Sequence, residues 1–354
     1  MDKVAFIGNE IIKDTGGYIV SKRLLEFVQD YFADEDISYC IRKRDASKWK
    51  FLLKAAAVRA DIYVYNSSLT GVSPRAWRPG SRRLQHNASM DAYRVTPESS
   101  KDCEKQRRIT GARVITFFHN VEADYARQEH RGWLRRSATY LLERSHVRHS
   151  DVIITLNARD SERLKALYGR EADFIWPTTF PDRFRPDFPY NDDRYILFVG
   201  SNFFGNTEGL DWFIRNCLDH VRLPLVVVGA GMDEFGRAYN DERVTFHGFT
   251  DSLDEFYYNA SAVVLPIVSG SGMKTKTCEA LMLGKTIIGT DEAFEGYSGV
   301  DEAGCIRCNT ADEFIAAINS FEGPKLNEEV RRLFLGHYCE GQVSRQLKDY
   351  LDSI

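Results

Sequence analysis

The sequence contains no long apolar run. None of its 354 residues belongs to an uninterrupted apolar stretch of about 18 or more, the length that a membrane-spanning helix needs. The first residues, from Met1 to Gly8, are typical of a strand running into a loop and lack the apolar core and cleavage site of a signal peptide. These absences favour a cytoplasmic protein without a transmembrane segment.

Cysteines are few and scattered. Seven of them, an odd number, fit free thiols in a reducing compartment better than a disulfide framework. Cys305 and Cys308 form a C-x-x-C pair, but no second pair and no histidines at ligand spacing follow, as a zinc site would require. No aspartate cluster is arranged for Mg²⁺. We therefore predict two ordinary thiols, no bound metal and no cofactor.

Charge is distributed unevenly, although the net charge is only −4. Residues 1–185 hold 33 Lys and Arg against 24 Asp and Glu, a net of +9, whereas residues 186–354 hold 14 against 27, a net of −13. Opposite signs suggest two domains with different partners, or with mutual attraction across a cleft, and ordinary surface variation is the alternative. No recognised nucleic-acid-binding module is present, so we expect no nucleic-acid partner.

Short apolar, β-branched runs alternate with amphipathic helical stretches in both halves of the chain. Such nearly continuous hydrophobic strands are typical of parallel sheets covered by helices on both faces. We predict an α/β protein with two Rossmann-like, doubly wound domains, each binding ligand beyond the carboxyl ends of its strands. The runs are 4–7, 62–65, 114–118 and 152–156 in the first half, and 195–199, 225–228, 244–246, 262–265 and 286–288 in the second.

Prolines mark the junction between these domains. Four of them fall within residues 177–189, a density that cannot continue a helix or a central strand. We place an N-terminal domain at 1–185 and a C-terminal domain at 186–335. A C-terminal helix at 336–354 is expected to pack back on the N-terminal domain. Residues 71–98, rich in Arg, Ser and Pro without a clear period, are predicted to form a mobile loop.

The strongest local pattern is a strand, a glycine loop and a helix around residues 270–279. Gly270 and Gly272 allow backbone amides to approach an anion closely, and the helix that starts near residue 274 directs its positive end to the same place. Lys274 and Lys276 add cationic donors, and Glu279 lies on the same helical face as Lys276 and can accept bonds from ribose hydroxyls. The alternative is an ordinary turn with two solvated lysines.

The second half of the chain contains five motifs that occur in the same order in a known family of proteins. They are Phe198 to Asn202 with Asn206 and 208–213, then 228–231, 244–251, 270–284 and 290–296. In this order they resemble the donor domain of GT-B glycosyltransferases, particularly the family-4 (group 1) type that builds bacterial surface polysaccharides. The resemblance implies the GT-B fold, with two Rossmann-like domains facing across a cleft, and a nucleotide-sugar donor, with UDP expected.

The resemblance also assigns roles in donor binding. It implies that Lys276 contacts the diphosphate and Glu279 the ribose, while the loop at 247–249 lies against the nucleobase. The other expected donor-binding residues are Gly16, Gly17, Gly200, Ser201, Asn202, Gly248, Phe249, Gly270, Ser271, Gly272, Met273 and Lys274.

Two departures from the family pattern affect the expected specificity. The family commonly has Glu-x7-Glu with a first glutamate that binds the donor sugar, and here that position is Ser271. Many relatives carry an Arg and a Lys in the loop after the first strand of the domain, where this chain has Ser201 and Asn206. The sugar therefore cannot be read from the family.

The first half resembles the family's acceptor domain at fewer places. Gly16 and Gly17 open a helix after the first strand, in a loop that approaches the donor or acceptor in relatives, although such a pair is also common for conformational reasons. His119, at the end of a buried strand, corresponds to a histidine that touches the donor sugar. A local hydrogen-bonding role is the alternative for it. Glu122, one turn away, is expected to orient His119 or meet the acceptor hydroxyl. We take His119, Glu122 and Lys276 as the catalytic candidates.

These assignments predict a metal-independent hexosyltransferase acting on a glycan, a lipid-linked sugar or a glycoprotein. Retention of configuration is implied by the resemblance. One alternative is a nucleotide-sugar epimerase of the same fold. The other is a non-catalytic GT-B subunit of a transferase complex, and the absence of the family's Arg, Lys and first Glu favours this second alternative.

The segment 127–149 bears on where the protein works. Six arginines are interleaved there with Trp133, Leu134 and other apolar residues, as suits docking at an anionic membrane surface. An ordinary solvated helix with a buried apolar stripe is the alternative. We expect a cytoplasmic enzyme at the inner face of the cell membrane.

Overall fold

The computed structural model describes residues 2–9, 16–42, 60–66, 113–128, 132–269 and 272–354. The predicted loop at 71–98, together with Gly270 and Ser271, lies outside the described residues. The chain divides into two compact units, Met1–Trp176 and Pro177–Ile354. This division falls at the start of the proline-rich segment, upstream of the boundary predicted at 185.

The first unit contains a six-stranded parallel sheet within its described residues. Its strands are β1 (Lys3–Asn9), β2 (Asp36–Arg42), β3 (Ile62–Tyr65), β4 (Arg113–Phe118), β5 (Val152–Thr155) and β6 (Phe174–Ile175), and its helices are α1 (Gly16–Tyr31), α2 (Glu122–Gln128), α3 (Trp133–His149) and α4 (Ala158–Tyr168). The strand order is β2-β1-β3-β4-β5-β6. The direction of winding changes between β1 and β3, where a doubly wound sheet binds its ligand.

Burial explains the apolar runs of this unit. β4 is buried from its second residue onward and β5 along its whole length. Phe6, Tyr65 and Phe117 are among the largest side chains with almost no exposed surface. Central parallel strands meet helices on both faces, so neither face tolerates the polar alternation of a half-exposed strand.

The second unit contains another six-stranded parallel sheet. Its strands are β7 (Ile196–Val199), β8 (Leu225–Val228), β9 (Val244–His247), β10 (Ala262–Leu265), β11 (Ile287–Gly289) and β12 (Ile306–Arg307), and its α-helices are α5 (Phe204–Asn216), α6 (Met232–Gly236), α7 (Asp254–Asn259), α8 (Thr275–Met282), α9 (Ala311–Ser320), α10 (Glu328–His337) and α11 (Glu340–Asp352). The order β12-β11-β10-β7-β8-β9 is the classic Rossmann order. The change of direction falls between β7 and β10.

Gly209 sets how closely α5 can pack against the segment that follows β10. A Cβ atom added to Gly209 would lie 1.7 Å from the carbonyl oxygen of Pro266, far inside contact distance. The helix backbone therefore rests almost directly on the chain leaving β10. This contact fixes the start of α5 and the end of β10 relative to each other.

The C-terminal stretch predicted as a single helix at 336–354 consists of the end of α10 and the whole of α11. α11 buries Val343, Leu347 and Leu351 along one face at helical spacing. Arg331 of α10 forms an ion pair with Asp182 at 2.5 Å, so the helix is tied to the proline-rich segment of its own unit.

The C-x-x-C pair consists of two buried thiols. Cys305 and Cys308 flank β12 as free cysteines, and burial raises the pKa of the two thiols to about 12 and about 11. Among the described residues, no group of three or more His, Cys, Asp or Glu side chains is placed to hold a metal ion. Within the same ranges, no helix is both long and apolar enough to cross a membrane.

The contact at Gly209 predicts a steep stability difference between two Gly→Ala substitutions. Gly209→Ala should lower the free energy of unfolding by about 1–3 kcal/mol, because the new methyl group overlaps the carbonyl of Pro266. Gly336→Ala in α10, where a Cβ atom meets nothing within 4 Å, should raise it by up to about 1 kcal/mol. Urea unfolding of the two variants measures both effects, and equal stability would contradict the close approach.

Candidate functional site

The chain ends of β7 and β10 form the candidate site of the second unit. β7 is followed by Gly200, Ser201 and Asn202, and β10 is followed by a loop that leads into α8. Both loops lie at the point where the winding direction changes, and ligands of open α/β sheets bind there. The described part of the chain that follows β10 and the predicted 200–202 loop therefore lie at the same edge of the sheet.

Lys276 links these two loops. Its Nζ donates a hydrogen bond to Oδ1 of Asn206, in the first turn of α5, and lies 4.9 Å from the centre of the Phe198 ring. Burial lowers the pKa of Lys276 to about 7, and the nearby Lys274 ammonium acts in the same direction. Among the described residues, no carboxylate forms an ion pair with Lys276. The site thus holds a buried cation that an anionic ligand would stabilise.

Gly200 leaves the space that Lys276 occupies. A Cβ atom at Gly200 would lie 3.0 Å from the Lys276 Nζ and 2.9 Å from the Nδ2 of Asn206. The same Nδ2 donates to the carbonyl oxygen of Ser201 at 2.8 Å, and the N–H of Asn202 donates to the carbonyl oxygen of Ala230. The loop after β7 is therefore held in place by hydrogen bonds and approaches the lysine through a bare backbone.

Lys274 has a different electrostatic environment from Lys276. Its Nζ forms an ion pair with Glu292 at 2.7 Å and donates to the carbonyl oxygen of Gly272 at 2.9 Å. Lys274 also stands at the position before the first helical residue of α8. Its charge is balanced within the protein, so Lys276 is the lysine with more to gain from a bound anion.

Glu279 sits one turn further along α8 with both carboxylate oxygens engaged. Oε1 accepts from Arg183 at 3.2 Å and Oε2 accepts from the Tyr257 hydroxyl at 3.2 Å. Burial raises the pKa of Glu279, while Arg183 and the hydrogen bonds oppose that rise. A carboxylate has about four acceptor positions, so these two bonds leave capacity for ligand hydroxyls.

Met273 anchors the loop before α8. Its side chain is buried, and its sulfur accepts a hydrogen bond from the N–H of Thr178 at 3.4 Å. Cys278 donates to the carbonyl oxygen of the same Thr178 at 3.3 Å. Met273 therefore has a structural contact that holds the residues just before α8 against Thr178. Gly270 and Ser271 themselves lie outside the described residues.

The loop after β9 presents Gly248 and Phe249, the residues expected near the nucleobase. A Cβ atom at Gly248 would lie 2.8 Å from Oδ1 of Asp233, so the backbone passes close to α6. The Phe249 side chain is 73% exposed. An exposed aromatic ring at the carboxyl end of a strand is available to stack on a planar group.

In the first unit, His119 lies next to the point where the winding changes. It follows β4, and its Nε2 donates a hydrogen bond to Oδ1 of Asn66, which follows β3, at 2.6 Å. An amide oxygen can only accept, so the proton is on Nε2 and Nδ1 is the acceptor atom of the ring. Burial lowers the pKa of His119 to about 4, and the imidazole is neutral at pH 7.

Glu122 is the first residue of α2, and a buried carboxylate holds its backbone. The N–H groups of Glu122 and Ala123 donate to Glu143 at 2.8 and 3.1 Å, and the Tyr168 hydroxyl donates to Glu143 at 2.6 Å. Burial raises the pKa of Glu143. The arginine-rich helix α3 therefore supplies the group that fixes the start of α2 and, through it, the segment that carries His119.

Gly16 and Gly17 are the first two residues of α1, as the sequence predicts for a helix opening there. The contacts that sequence reasoning missed are Arg183 and Tyr257 on Glu279, Glu292 on Lys274, Asn66 on His119, and Glu143 on α2. Each partner is far away in the chain, and no local spacing indicates it. Asn66 alone had a usable signal, since a polar residue directly after a buried strand is expected at the ligand-binding edge.

A family model described as "Glycosyl transferases group 1" matches residues 193–321, from just before β7 to the end of α9. No curated protein matches the sequence significantly. The match covers the five motifs on which the sequence-based resemblance rests.

Solved structures with the same architecture cover nearly the whole chain. Anabaena Alr3699/HepE in complex with UDP and glucose has a TM-score of 0.62 at 12% identity, covering 100% of both chains. Sucrose-phosphate synthase from Thermosynechococcus elongatus has a TM-score of 0.69 at 14% identity, covering 100% of this chain and 99% of that one. A glycosyltransferase from Rickettsia africae has a TM-score of 0.60 at 10% identity, with 99% and 98% covered. Likeness at these identities establishes the fold. Together with the family match, it confirms the predicted glycosyltransferase with the GT-B fold.

The His119–Asn66 pair predicts how the histidine pKa responds to a neighbouring charge. Asn66→Asp should raise the pKa of His119 from about 4 by about 1 to 3, because a carboxylate within hydrogen-bond distance favours the imidazolium. Asn66→Ala should leave the pKa low, because burial is its cause. NMR titration of ¹³C-labelled histidine measures both, with the His119 resonance assigned from His119→Gln. A pKa near 4 in the Asp variant would contradict the contact.

Proposed function

We propose that the protein transfers a sugar from a UDP-sugar bound at the ends of β7 and β10. The observation that carries the proposal is Lys276, a buried cation with an amide partner beside a bare glycine backbone. A diphosphate supplies the anion that this arrangement needs. The structures of HepE contain UDP, UDP and glucose, or UDP-glucose, which supports the choice of UDP for this related fold.

In this proposal, different residues of the second unit bind different parts of the donor. Lys276 and the N-terminal end of α8 bind the diphosphate and stabilise the charge that develops on it as the sugar leaves. Glu279 accepts from the ribose hydroxyls, with Arg183 and Tyr257 orienting its carboxylate. The 200–202 loop contributes backbone groups, and Gly248 and Phe249 contact the base. Lys274 contributes less charge because Glu292 balances it.

His119 serves as a neutral hydrogen-bonding group rather than as an acid. Its Nε2–H donates to Asn66, and its Nδ1 can accept a hydrogen bond from a sugar hydroxyl. Glu122 at the start of α2 is proposed to meet the acceptor hydroxyl or to orient the histidine. We further propose a glycan, lipid-linked or glycoprotein acceptor and a metal-independent transfer with retention. The anomeric configuration of the product, read by NMR, tests the stereochemistry.

UDP binding should depend on Lys276 and on pH. Lys276→Met should weaken binding about 10- to 100-fold, the effect of losing a charge-assisted hydrogen bond. In the unmodified protein the affinity should fall as pH rises from 7 to 9. In the protein without ligand, Lys276 has a pKa of about 7 and loses its proton in that window, whereas the diphosphate binds the ammonium form. Titration calorimetry with UDP at several pH values measures both effects.

Two matched variants sharpen this test. Lys276→Arg keeps a charge that does not titrate, so UDP affinity should stay flat from pH 7 to 9. Lys274→Gln should have a smaller effect than Lys276→Met, because Glu292 already balances Lys274. The proposal is wrong if the protein binds no nucleoside diphosphate, or if Lys276→Met binds UDP as well as the unmodified protein.

Turnover of a UDP-sugar without acceptor separates transfer from the two alternatives. Slow release of UDP and free sugar supports a transferase. Inversion at C2 of the sugar supports an epimerase, and tight binding without turnover supports a non-catalytic subunit. We favour the transferase because the family match covers Lys276, Glu279 and the loops after β7, β9 and β10.

We also propose that the first turn of α3 contacts an anionic membrane surface. Trp133 and Leu134 are 67% and 66% exposed, and Arg135 and Arg136 beside them are exposed as well. The buried side of α3, which includes Glu143 and Val147, begins only later in the helix. Exposed Trp and Leu next to arginines suit insertion at the headgroup boundary of an anionic bilayer.

The membrane proposal predicts two separable effects on vesicle binding. Trp133→Ala with Leu134→Ala should weaken binding to phosphatidylglycerol vesicles about tenfold or more at any salt concentration, because apolar contact is lost. Arg135→Gln with Arg136→Gln should weaken it mainly at low salt, by about fivefold per charge. Vesicle co-sedimentation measures both, with phosphatidylcholine vesicles as control. Binding that neither pair changes, or no binding to anionic vesicles, would exclude this surface.

A further inference from the structure

Two adjacent phenylalanines at the start of α5 are exposed to solvent. Phe203 is 56% and Phe204 66% exposed, and their ring centres lie 5.5 Å apart in a T-shaped pair. Large aromatic side chains usually bury most of their surface. An exposed aromatic pair beside a polar site is typical of a surface that binds a ligand.

The position of Phe203 makes the exposure more unusual. It is the residue that caps the N-terminus of α5, with φ of −128° and ψ of 141°, and its side chain makes no capping hydrogen bond. Ser, Thr, Asp or Asn at such a position stabilises a helix by about 1 kcal/mol relative to an apolar residue. Phe203 does not provide this stabilisation and instead exposes an aromatic ring. Departures from such local sequence preferences are found mainly at functional sites.

Hydrogen bonds place the pair one turn from the proposed phosphate site. The carbonyl oxygen of Phe203 accepts from the N–H of Asn206 at 2.8 Å, and the side chain of that asparagine accepts from Lys276. The edge of the Phe203 ring lies over Gly205, where a Cβ atom would be 3.0 Å from the Phe203 Cε1 and 3.9 Å from the carbonyl oxygen of Ser269. The pair therefore borders the phosphate site on the side of the loop after β10.

We propose that Phe203 and Phe204 form the stacking platform for the pyranose ring of the nucleotide sugar. The proposal rests on the proposed function, since it assigns a subsite of the same donor site. One face of a pyranose ring carries mainly C–H groups and is apolar, which suits the face of an aromatic ring. A diphosphate or a ribose diol gains nothing comparable from a neutral ring, and Lys276 and Glu279 are there for those groups.

The experiment compares the donor with and without its sugar. Dissociation constants for UDP, UDP-glucose, UDP-galactose and UDP-N-acetylglucosamine are measured by titration calorimetry on the full-length protein. The sugar's contribution is the ratio of the constant for the tightest-binding UDP-sugar to that for UDP. Phe203→Ala with Phe204→Ala should raise this ratio about three- to tenfold, while UDP alone binds as before.

Matched variants show whether the flat ring itself matters. Phe203→Leu with Phe204→Leu keeps apolar surface but removes the aromatic face, and should raise the ratio nearly as much as the alanine pair. Leu335→Ala, at a residue of α10 that is 43% exposed, should leave it unchanged. Both Phe residues are exposed, so unchanged thermal unfolding of the variants is expected and checks that the fold is intact.

Three outcomes would overturn the platform while leaving the proposed function intact. If the alanine pair weakens UDP and UDP-sugars equally, the rings hold the nucleoside and not the sugar. If neither UDP nor UDP-sugar binding changes, they are not part of the donor site. If the leucine pair binds like the unmodified protein, apolar contact and not stacking is responsible. Failure of the unmodified protein to bind UDP would contradict the proposed function itself.

Discussion

Burial of a lysine ammonium beside a bare backbone is the constraint on which the second unit depends. An ammonium removed from water is costly unless it gains partners, and within the described residues Lys276 gains an amide oxygen and the face of Phe198 rather than a carboxylate. A side chain at Gly200 would crowd the Lys276 ammonium and the Asn206 amide, and the close packing at Gly209 fixes α5, which presents Asn206. The glycine positions, the start of α5 and the first turn of α8 are thus parts of one arrangement.

Much of the fold could be predicted from the sequence because central parallel strands are buried on both faces and appear as continuous apolar runs. All nine predicted strands are present, and the predicted α/β architecture is confirmed. The three strands not predicted lie at or near sheet edges. β6 and β12 have two residues each, too short for any pattern. β2 lies at a sheet edge with Tyr39 and Ile41 exposed, so it lacks the continuous buried run of a central strand.

The candidate site could be predicted only where its residues are close together in the chain. Lys276 and Glu279 share one helical face, a relation that spacing alone reveals. Arg183 reaches Glu279 from the proline-rich segment, and Asn66 reaches His119 across 53 residues, so these contacts depend on the topology of the sheets. Lys274 and Lys276 look alike in sequence, yet Glu292 balances only the first, and that difference separates a structural ion pair from a candidate ligand group.

The same physical cause has opposite functional consequences for the two buried bases. Burial lowers the pKa of His119 to about 4, far below the working range, so the imidazole stays neutral and its hydrogen-bonding pattern is constant. Burial lowers the pKa of Lys276 to about 7, inside the working range, so its charge depends on whether an anion is bound. Under the proposed function, a pH dependence of donor binding near neutrality would therefore belong to the lysine and not to the histidine. At the proposed phosphate site, a lysine without a carboxylate partner among the described residues therefore need not be fully charged until an anion binds.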